Sequence, residues 1–89
     1  MNKQFENRVA FVTGATSGIG QACALGFARA GASVVCVGRK EDALKELEQT
    51  IRETGSEALT IRADLAREGE ADRAIQHAVG VFGGIDVLV

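Results

Sequence analysis

The sequence predicts an α/β fold in which a doubly wound parallel sheet carries helices on both faces. Short, almost continuous apolar runs alternate along the chain with segments whose apolar residues recur at helical spacing. Glycines follow several of these segments, and the 89 residues include no proline. Strands that alternate with helices favour a parallel sheet joined by right-handed crossovers. We therefore expect a single domain over residues 1–89, with the element order β-α-β-α-β-α-β.

The four predicted strands are short runs of apolar and β-branched residues. They cover residues 8–13 (RVAFVT), 33–37 (SVVCV), 57–62 (EALTIR) and 85–89 (IDVLV). The first two runs are nearly unbroken, which favours burial on both faces, whereas the third alternates. The fourth follows Gly83-Gly84, a pair that ends the helix before it. With three helices, these strands make half of a doubly wound domain.

Each of the three predicted helices carries one apolar face that is expected to pack on the sheet. The helices cover residues 19–30, 41–53 and 70–82, and Gly31 and Gly55 lie just beyond the ends of the first two. Gly31 is expected to be a left-handed C-cap. In chain order the inner-face residues are Ile19, Cys23, Phe27 and Ala30, then Leu44, Leu47 and Ile51, then Ala71, Ile75, Ala78 and Phe82.

Composition excludes several classes of function. A net charge of −2 and a pI near 5.3 argue against a nucleic-acid surface, since phosphate binding needs clustered Lys and Arg and here ten basic residues are scattered among twelve acids. No apolar run reaches the length of a membrane span, and residues 1–8 lack the apolar core of a secretory signal, so we expect a cytoplasmic chain. Cys23 and Cys36 are expected to be buried free thiols, His77 a surface residue, and no metal site is expected.

Residues 12–20, VTGATSGIG, lie between the first predicted strand and the first predicted helix. A glycine-rich turn there presents backbone N–H groups and the positive end of the helix dipole, which together suit a phosphate. Gly14 would permit the tight turn, Gly18 the approach of a pyrophosphate, and Gly20 close packing of the helix. The alternative is a tight turn whose small residues serve packing only. The strand before and the helix after favour a dinucleotide-binding loop.

The motifs resemble those of one family. TGATSGIG is similar to the TGxxxGxG cofactor loop of the short-chain dehydrogenase/reductase family, and Ala63-Asp64-Leu65 to its adenine-binding Asp with an apolar successor. Residues 83–89, GGIDVLV, resemble the stretch that leads into its Asn-Asn-Ala-Gly motif. The resemblance spans the chain and implies a Rossmann-like fold that binds a dinucleotide. The cofactor-binding residues that it implies in these motifs are Gly14, Thr16, Ser17, Gly18, Ile19, Gly20, Asp64 and Leu65.

Asp64 has two interpretations that can coexist. The resemblance implies that its carboxylate accepts a hydrogen bond from the adenine amino group, while the backbone N–H of Leu65 supplies another contact. The alternative is a loop or helix-capping residue ahead of Glu70.

The end of the second strand bears on the choice of cofactor. A site for NAD usually has Asp or Glu there to bind the ribose 2′-hydroxyl, whereas an Arg accommodates the 2′-phosphate of NADP. This chain has Gly38-Arg39-Lys40, with no carboxylate before Glu41. Arg39 would bind the phosphate as a bidentate partner and Lys40 as a point charge. We therefore expect NADP(H), with NAD(H) possible; the alternative is a basic pair merely exposed in a loop.

The family's catalytic groups have no counterpart in these residues. The resemblance implies a Tyr, a Lys, a Ser and an Asn, but the sequence contains no Tyr and stops at Val89, where the Asn-Asn-Ala-Gly motif would begin. We expect the cofactor-binding part of an NADP(H)-dependent oxidoreductase, truncated before its catalytic part and inactive alone. The alternative is a stand-alone nucleotide-binding or self-associating module. Because the fourth strand would leave an unpaired edge, we also expect a homo-oligomer.

Overall fold

The computed structural model describes residues 4–89, and it confirms the predicted α/β fold and the order of its elements. The strands are β1 (Val9–Thr13), β2 (Ser33–Gly38), β3 (Ala58–Arg62) and β4 (Val87–Leu88). The helices are α1 (Gly18–Arg29), α2 (Glu41–Glu53) and α3 (Glu70–Phe82). Within the described residues, no helix is both long enough and apolar enough to cross a membrane.

All four strands run parallel in one sheet, in the order β3-β2-β1-β4. In the register of the ladders, Val9 lies opposite Ser33, and Gly38 lies opposite Arg62. The chain moves outward from β1 to β3 and then returns to the other side of β1 with β4. The carboxyl ends of the strands therefore share one edge, and the strand order reverses beside β1, where open α/β sheets bind their ligands.

Both faces of the sheet are covered, which explains why the first two apolar runs are continuous. Ala10 and Val12 of β1 belong to the core beneath α1 and α2, whereas Phe11 belongs to the core beneath α3. The predicted inner face of α2 is confirmed, since Leu44, Leu47 and Ile51 are all buried. These three side chains are at most 2% exposed.

The inner faces predicted for α1 and α3 are partly wrong. Ile19 is 83% exposed, and α1 instead packs through Gly20, Ala24 and Ala28. Ala71 is exposed, while Ala74 and Ala78 are the buried residues of α3. Small side chains let both helices approach the sheet closely, so the larger residues Cys23, Phe27, Ile75 and Phe82 are displaced to the flanks and only partly buried.

Four further predictions concern single residues, and one of them is wrong. Cys36 is a buried free thiol as predicted, but Cys23 is only half-buried. His77 is exposed, as predicted. Gly31 has the predicted positive φ, 97°, although it follows the C-cap residue, Ala30.

The fourth strand covers two residues instead of the five predicted, but hydrogen bonds to β1 continue on either side of it. Before the strand, the backbone N–H of Asp86 donates to the carbonyl of Val9 at 2.9 Å. Asp86 accepts a hydrogen bond from the backbone N–H of Val9 through its carboxylate, at 2.8 Å. Arg8 approaches the other carboxylate oxygen at 3.5 Å. Beyond Leu88, backbone pairing continues, because the N–H of Val89 donates to the carbonyl of Phe11 at 2.9 Å. The Asp86 side chain thus fixes the register of the last strand against the first.

Candidate functional site

A cleft of about 540 Å³ opens at the carboxyl edge of the sheet, where the segments that follow β1, β2 and β3 meet. It brings together most of the residues predicted to bind a cofactor. Those that line it are Gly14, Thr16, Ser17, Arg39, Lys40, Asp64 and Leu65. Gly18, Ile19 and Gly20 do not line the cleft, since they form the first turn of α1 beside it.

The turn between β1 and α1 depends on two glycines. Gly14 has a φ of 58°, a left-handed conformation that residues with a side chain rarely adopt. A Cβ atom built on Gly20 would lie 2.7 Å from the carbonyl carbon of Gly14 and closer still to its oxygen. The first turn of α1 therefore rests directly on the backbone of the turn. Packing against that turn, more than against the strand itself, is what requires glycine at position 20.

Ser17 caps α1. Its hydroxyl donates to the carbonyl of Gly14 at 2.7 Å and accepts from the N–H of Gly20 at 3.4 Å. A Ser side chain at the N-cap satisfies one of the backbone donors that a helix leaves free at its start. Because its proton is already committed to Gly14, the Ser17 hydroxyl acts first as a structural group of the turn.

Three backbone donors remain free at this helix end. Among residues 4–89, the N–H groups of Thr16, Gly18 and Ile19 have no acceptor. The first turn of α1 contains no acidic residue, whereas the first turns of α2 and α3 each contain two. The positive end of the α1 dipole is thus the one that no side chain of the helix neutralises. This arrangement suits an anion supplied from outside the chain.

The second segment of the cleft is the end of β2. A Cβ atom on Gly38 would lie 3.3 Å from the Thr16 methyl group, so a residue with a side chain would crowd the turn. Arg39 and Lys40 are exposed, and within the described part of the chain neither forms an ion pair. Lys40 is also the N-cap of α2, where it makes no capping hydrogen bond. This corner of the cleft is therefore positively charged.

The third segment, which follows β3, is held by a network that the sequence patterns did not reveal. One carboxylate oxygen of Asp64 accepts a hydrogen bond from the N–H of Ala66 at 3.1 Å. This contact agrees with the interpretation of Asp64 as a loop residue. Its own N–H donates to Glu70 at 3.3 Å. Arg73 donates to Glu70 at 3.0 Å and to the carbonyl of Arg62 at 3.1 Å.

These contacts lower the pKa of Glu70. The largest cause is the side-chain hydrogen bond from Arg73, followed by the hydrogen bond from the backbone of Asp64. A charged Glu70 therefore ties the start of α3 to the loop that carries Asp64. The spacing of Glu70 and Arg73, one helical turn apart, could have predicted their ion pair from sequence. Their hydrogen bonds to Asp64 and Arg62 could not be predicted in this way, because they depend on how α3 packs against the sheet.

The remaining polar chemistry is sparse. Burial, followed by the negative charge of Glu48, raises the pKa of Cys36 to about 12, so this thiol stays protonated at neutral pH. In the described range 4–89, no three His, Cys, Asp or Glu side chains come together as a metal-binding group. The cleft thus offers backbone donors, two cations and a carboxylate, a set suited to binding an anionic ligand.

Comparisons with known proteins agree with this architecture. The sequence pattern of the short chain dehydrogenase family matches residues 8–89. The chain is 40% identical over 87 residues to a CLA biosynthesis dehydrogenase/reductase of Lactiplantibacillus plantarum, covering 98% of this chain and 30% of that protein.

Two solved structures show the same fold. The L-sorbose reductase of Gluconobacter frateurii, complexed with NADPH and L-sorbose, superposes with a TM-score of 0.91 and 37% identity, over 99% of this chain and 34% of that one. An NAD⁺-bound xylitol dehydrogenase gives a TM-score of 0.92 and 34% identity, over 96% of this chain and 33% of that one. The chain therefore spans about a third of the length of these relatives.

Proposed function

The chain belongs to the short-chain dehydrogenase family, and from this premise we propose that it is the cofactor-binding segment of an oxidoreductase acting on a carbonyl or alcohol substrate with NADP(H). The observation that carries the proposal is the start of α1, where three free N–H groups and an uncompensated helix dipole adjoin the cleft. Hydride transfer is the chemistry that the nicotinamide of this cofactor supplies.

We assign the proposed roles segment by segment. The backbone of Thr16, Gly18 and Ile19 would hold the pyrophosphate, because its donors are free and Gly18 carries no side chain to block the approach. Gly14, Ser17 and Gly20 would shape that turn. At the far side of the cleft, Asp64 and the N–H of Leu65 would bind the adenine. One carboxylate oxygen of Asp64 accepts no hydrogen bond within the described residues, so it is available for this contact.

Arg39 and Lys40 are the basis for proposing NADP(H) over NAD(H). Both cofactors occur among the similar structures, so the preference must come from the residues of this chain. The first carboxylate after β2, Glu41, faces Lys45 at 3.9 Å, one turn along α2. Asp42 belongs to the same first turn of α2, and neither acid lines the cleft that Arg39 and Lys40 share with Asp64. We infer that the two unpaired cations in that cleft bind a 2′-phosphate.

Separate titrations of the chain with NADPH and NADH test this assignment. We expect tighter binding of NADPH, and Arg39→Asp should reverse the order because it removes the phosphate partner and adds an acceptor for the hydroxyl. Equal affinity of the unaltered chain for the two cofactors would contradict the role of Arg39. If neither cofactor bound, the cofactor-binding proposal itself would fail.

We propose further that the 89 residues alone do not reduce a carbonyl. They include no Tyr, and the carboxylate of Glu70 is committed to Arg73. An assay of NADPH oxidation with simple ketones and aldehydes should show no turnover above the rate without protein. Turnover by the purified chain would overturn this assignment.

A second candidate role is self-association, and the exposure of the last residues favours it. Leu88 is 65% exposed and Val89 is 44% exposed, while β4 pairs with a described strand only through β1. An apolar strand with one unpaired edge can extend its ladder with another copy. We propose that the 89-residue polypeptide pairs in this way.

A further inference from the structure

The basic side chains of the described residues fall into two groups. Four of them form ion pairs with acids: Arg8, Lys45, Arg52 and Arg73. Five form none within residues 4–89: Arg29, Arg39, Lys40, Arg62 and Arg67. Apart from Arg29, the unpaired cations all line clefts at the carboxyl ends of β2 and β3. In a chain of net charge −2, this concentration of unpaired positive charge is local.

Arg62 is the member of this group that no sequence motif marks. It is the last residue of β3 and lies opposite Gly38 in the parallel ladder, so Arg39 follows directly across the sheet. Ile61 packs beneath α3, and Ala58 packs beneath α2. Because side chains alternate along a strand, Arg62 lies on the same face as Ala58, towards α2.

Arg62, Arg39 and Lys40 line one cleft of about 520 Å³ with the first turn of α2. The acids of that turn are Glu41 and Asp42, and Glu41 faces Lys45 at 3.9 Å. The side chain of Arg62 makes no hydrogen bond within the described residues, while Arg73 holds its backbone carbonyl at 3.1 Å. The strand end is therefore fixed and its guanidinium is free to bind a ligand.

Three neighbouring cations without acidic partners repel one another, and an anion placed between them would relieve that repulsion. The first turn of α2 beside them carries Glu41 and Asp42, so the positive charge at this place comes from the three cations and not from the helix dipole. A phosphate group can accept bidentate hydrogen bonds from guanidinium groups on more than one side.

We propose that Arg62 is a third cation of the 2′-phosphate site and helps Arg39 and Lys40 to select NADP(H) over NAD(H). The inference rests on the proposed function, since it concerns the same cofactor. It extends the recognition of the phosphate from the end of β2 to the end of β3, so that the phosphate is held from two adjacent strands. Arg62 is in this sense a specificity-determining residue.

Two small ligands isolate the contact in the purified 89-residue chain. Adenosine 2′,5′-bisphosphate and adenosine 5′-monophosphate differ only in the 2′-phosphate, so calorimetric titration with both measures what that group adds. Arg62→Gln should weaken binding of the bisphosphate by about tenfold, as expected for the loss of one charge-assisted contact. It should weaken binding of the monophosphate by less than about twofold. The bisphosphate affinity of Arg62→Lys should lie between those of the unaltered chain and Arg62→Gln, because Lys keeps the charge and loses the bidentate fork.

Arg67→Gln is the matched control. It removes the same charge from an exposed residue that shares the neighbouring cleft with Arg39 and Arg62 but does not line the one beside α2. We expect it to change bisphosphate affinity by less than about threefold, through screened long-range charge alone. Far-ultraviolet circular dichroism of each variant checks that the fold is kept, and Arg62→Lys supplies the comparison if the Gln variant unfolds.

Each outcome decides a different point. Equal weakening of both ligands by Arg62→Gln would overturn the proposal, since the contact would not be with the 2′-phosphate. A loss of the same size in Arg67→Gln would overturn it as well, because general charge would account for the effect. An unaltered chain that bound the two ligands equally would refute NADP(H) selection together with this inference. If it bound neither ligand, dinucleotide binding itself would be refuted.

Discussion

The contact between Gly20 and the backbone of Gly14 allows a prediction with a calculable magnitude. In Gly20→Ala the new methyl group would lie 2.7 Å from the carbonyl carbon of Gly14 and 3.2 Å from the Cα of Ala15. Both neighbours are backbone atoms and cannot rotate away. Restoring an ordinary carbon–carbon separation of about 3.5 Å requires α1 to move by roughly 1 Å.

Three terms set the size of the effect. Overpacking of this kind costs about 1–3 kcal/mol. The displacement also lengthens the hydrogen bond from Gly20 to Ser17, already 3.4 Å, and loss of an N-cap costs about 1 kcal/mol. Replacing Gly by Ala in a helix returns about 1 kcal/mol. We therefore expect the free energy of unfolding to fall by about 1–3 kcal/mol, a large share of the total for a small domain.

Gly18→Ala is the matched control two residues away. A Cβ atom there meets no protein atom within 4 Å, so stability should be unchanged or should rise by up to about 1 kcal/mol. The same methyl group would stand where a pyrophosphate is proposed to approach. We expect the Gly18 variant to keep its fold and to lose NADPH affinity by about tenfold, or about 1.4 kcal/mol.

Urea denaturation followed by far-ultraviolet circular dichroism measures both variants, since the chain has no Trp and no Tyr for intrinsic fluorescence. If the free energy of unfolding of Gly20→Ala lay within about 0.5 kcal/mol of that of the unaltered chain, the steric argument would be refuted. A Gly18 variant with unchanged cofactor affinity would refute the assignment of its backbone to the pyrophosphate.

Three further predictions concern other parts of the chain. Because Arg73 and the Asp64 N–H lower the pKa of Glu70, the contribution of Glu70 to stability should be complete above its ordinary pKa of 4.5 and be lost as the pH falls through the lowered pKa. In urea denaturation, Glu70→Gln should therefore be as stable as the unaltered chain in acid and less stable at neutral pH. The raised pKa of Cys36 predicts the opposite pH dependence, in which stability is lost as the pH rises from 9.0 to about 12. Mass spectrometry after thiol labelling at pH 8 should find Cys36 modified only in denaturant. Size-exclusion chromatography at micromolar concentration should show a dimer or larger species that Leu88→Lys shifts towards monomer, and a monomeric unaltered chain would contradict edge pairing.

The fold was predictable from sequence wherever one physical signal dominated. The unbroken apolar run of β1 reports burial on both faces, and α2 shows a strict spacing of Leu44, Leu47 and Ile51 against a charged outer face. The glycine turn was recognisable because its strand, its turn and its helix are consecutive in the chain. Seven of the ten residues proposed from sequence then line one cleft, since parallel strands end at a common edge.

The errors occur where packing depends on partners far away in the sequence. Periodicity gave most weight to large residues such as Ile19, but α1 and α3 meet the sheet through alanines, whose small size allows close approach. The hydrogen bond from Val9 to the Asp86 carboxylate was not predicted, because it joins residues that are 77 positions apart. Arg62 and Glu70 went unnoticed for the same reason, since their roles arise only when β3, its loop and α3 come together.

The hydrogen bond between Val9 and Asp86 also constrains how the sheet can be assembled during synthesis. The two residues are 77 positions apart, so β1 acquires its second neighbour only after 77 further residues have been synthesised. Until then β1, an interior strand of the finished sheet, can pair only with β2 and keeps one apolar edge open. Closing so long a loop is slow compared with forming the β1-β2 unit. The nascent chain is therefore most exposed to misassembly along β1, the same strand that carries the glycine turn.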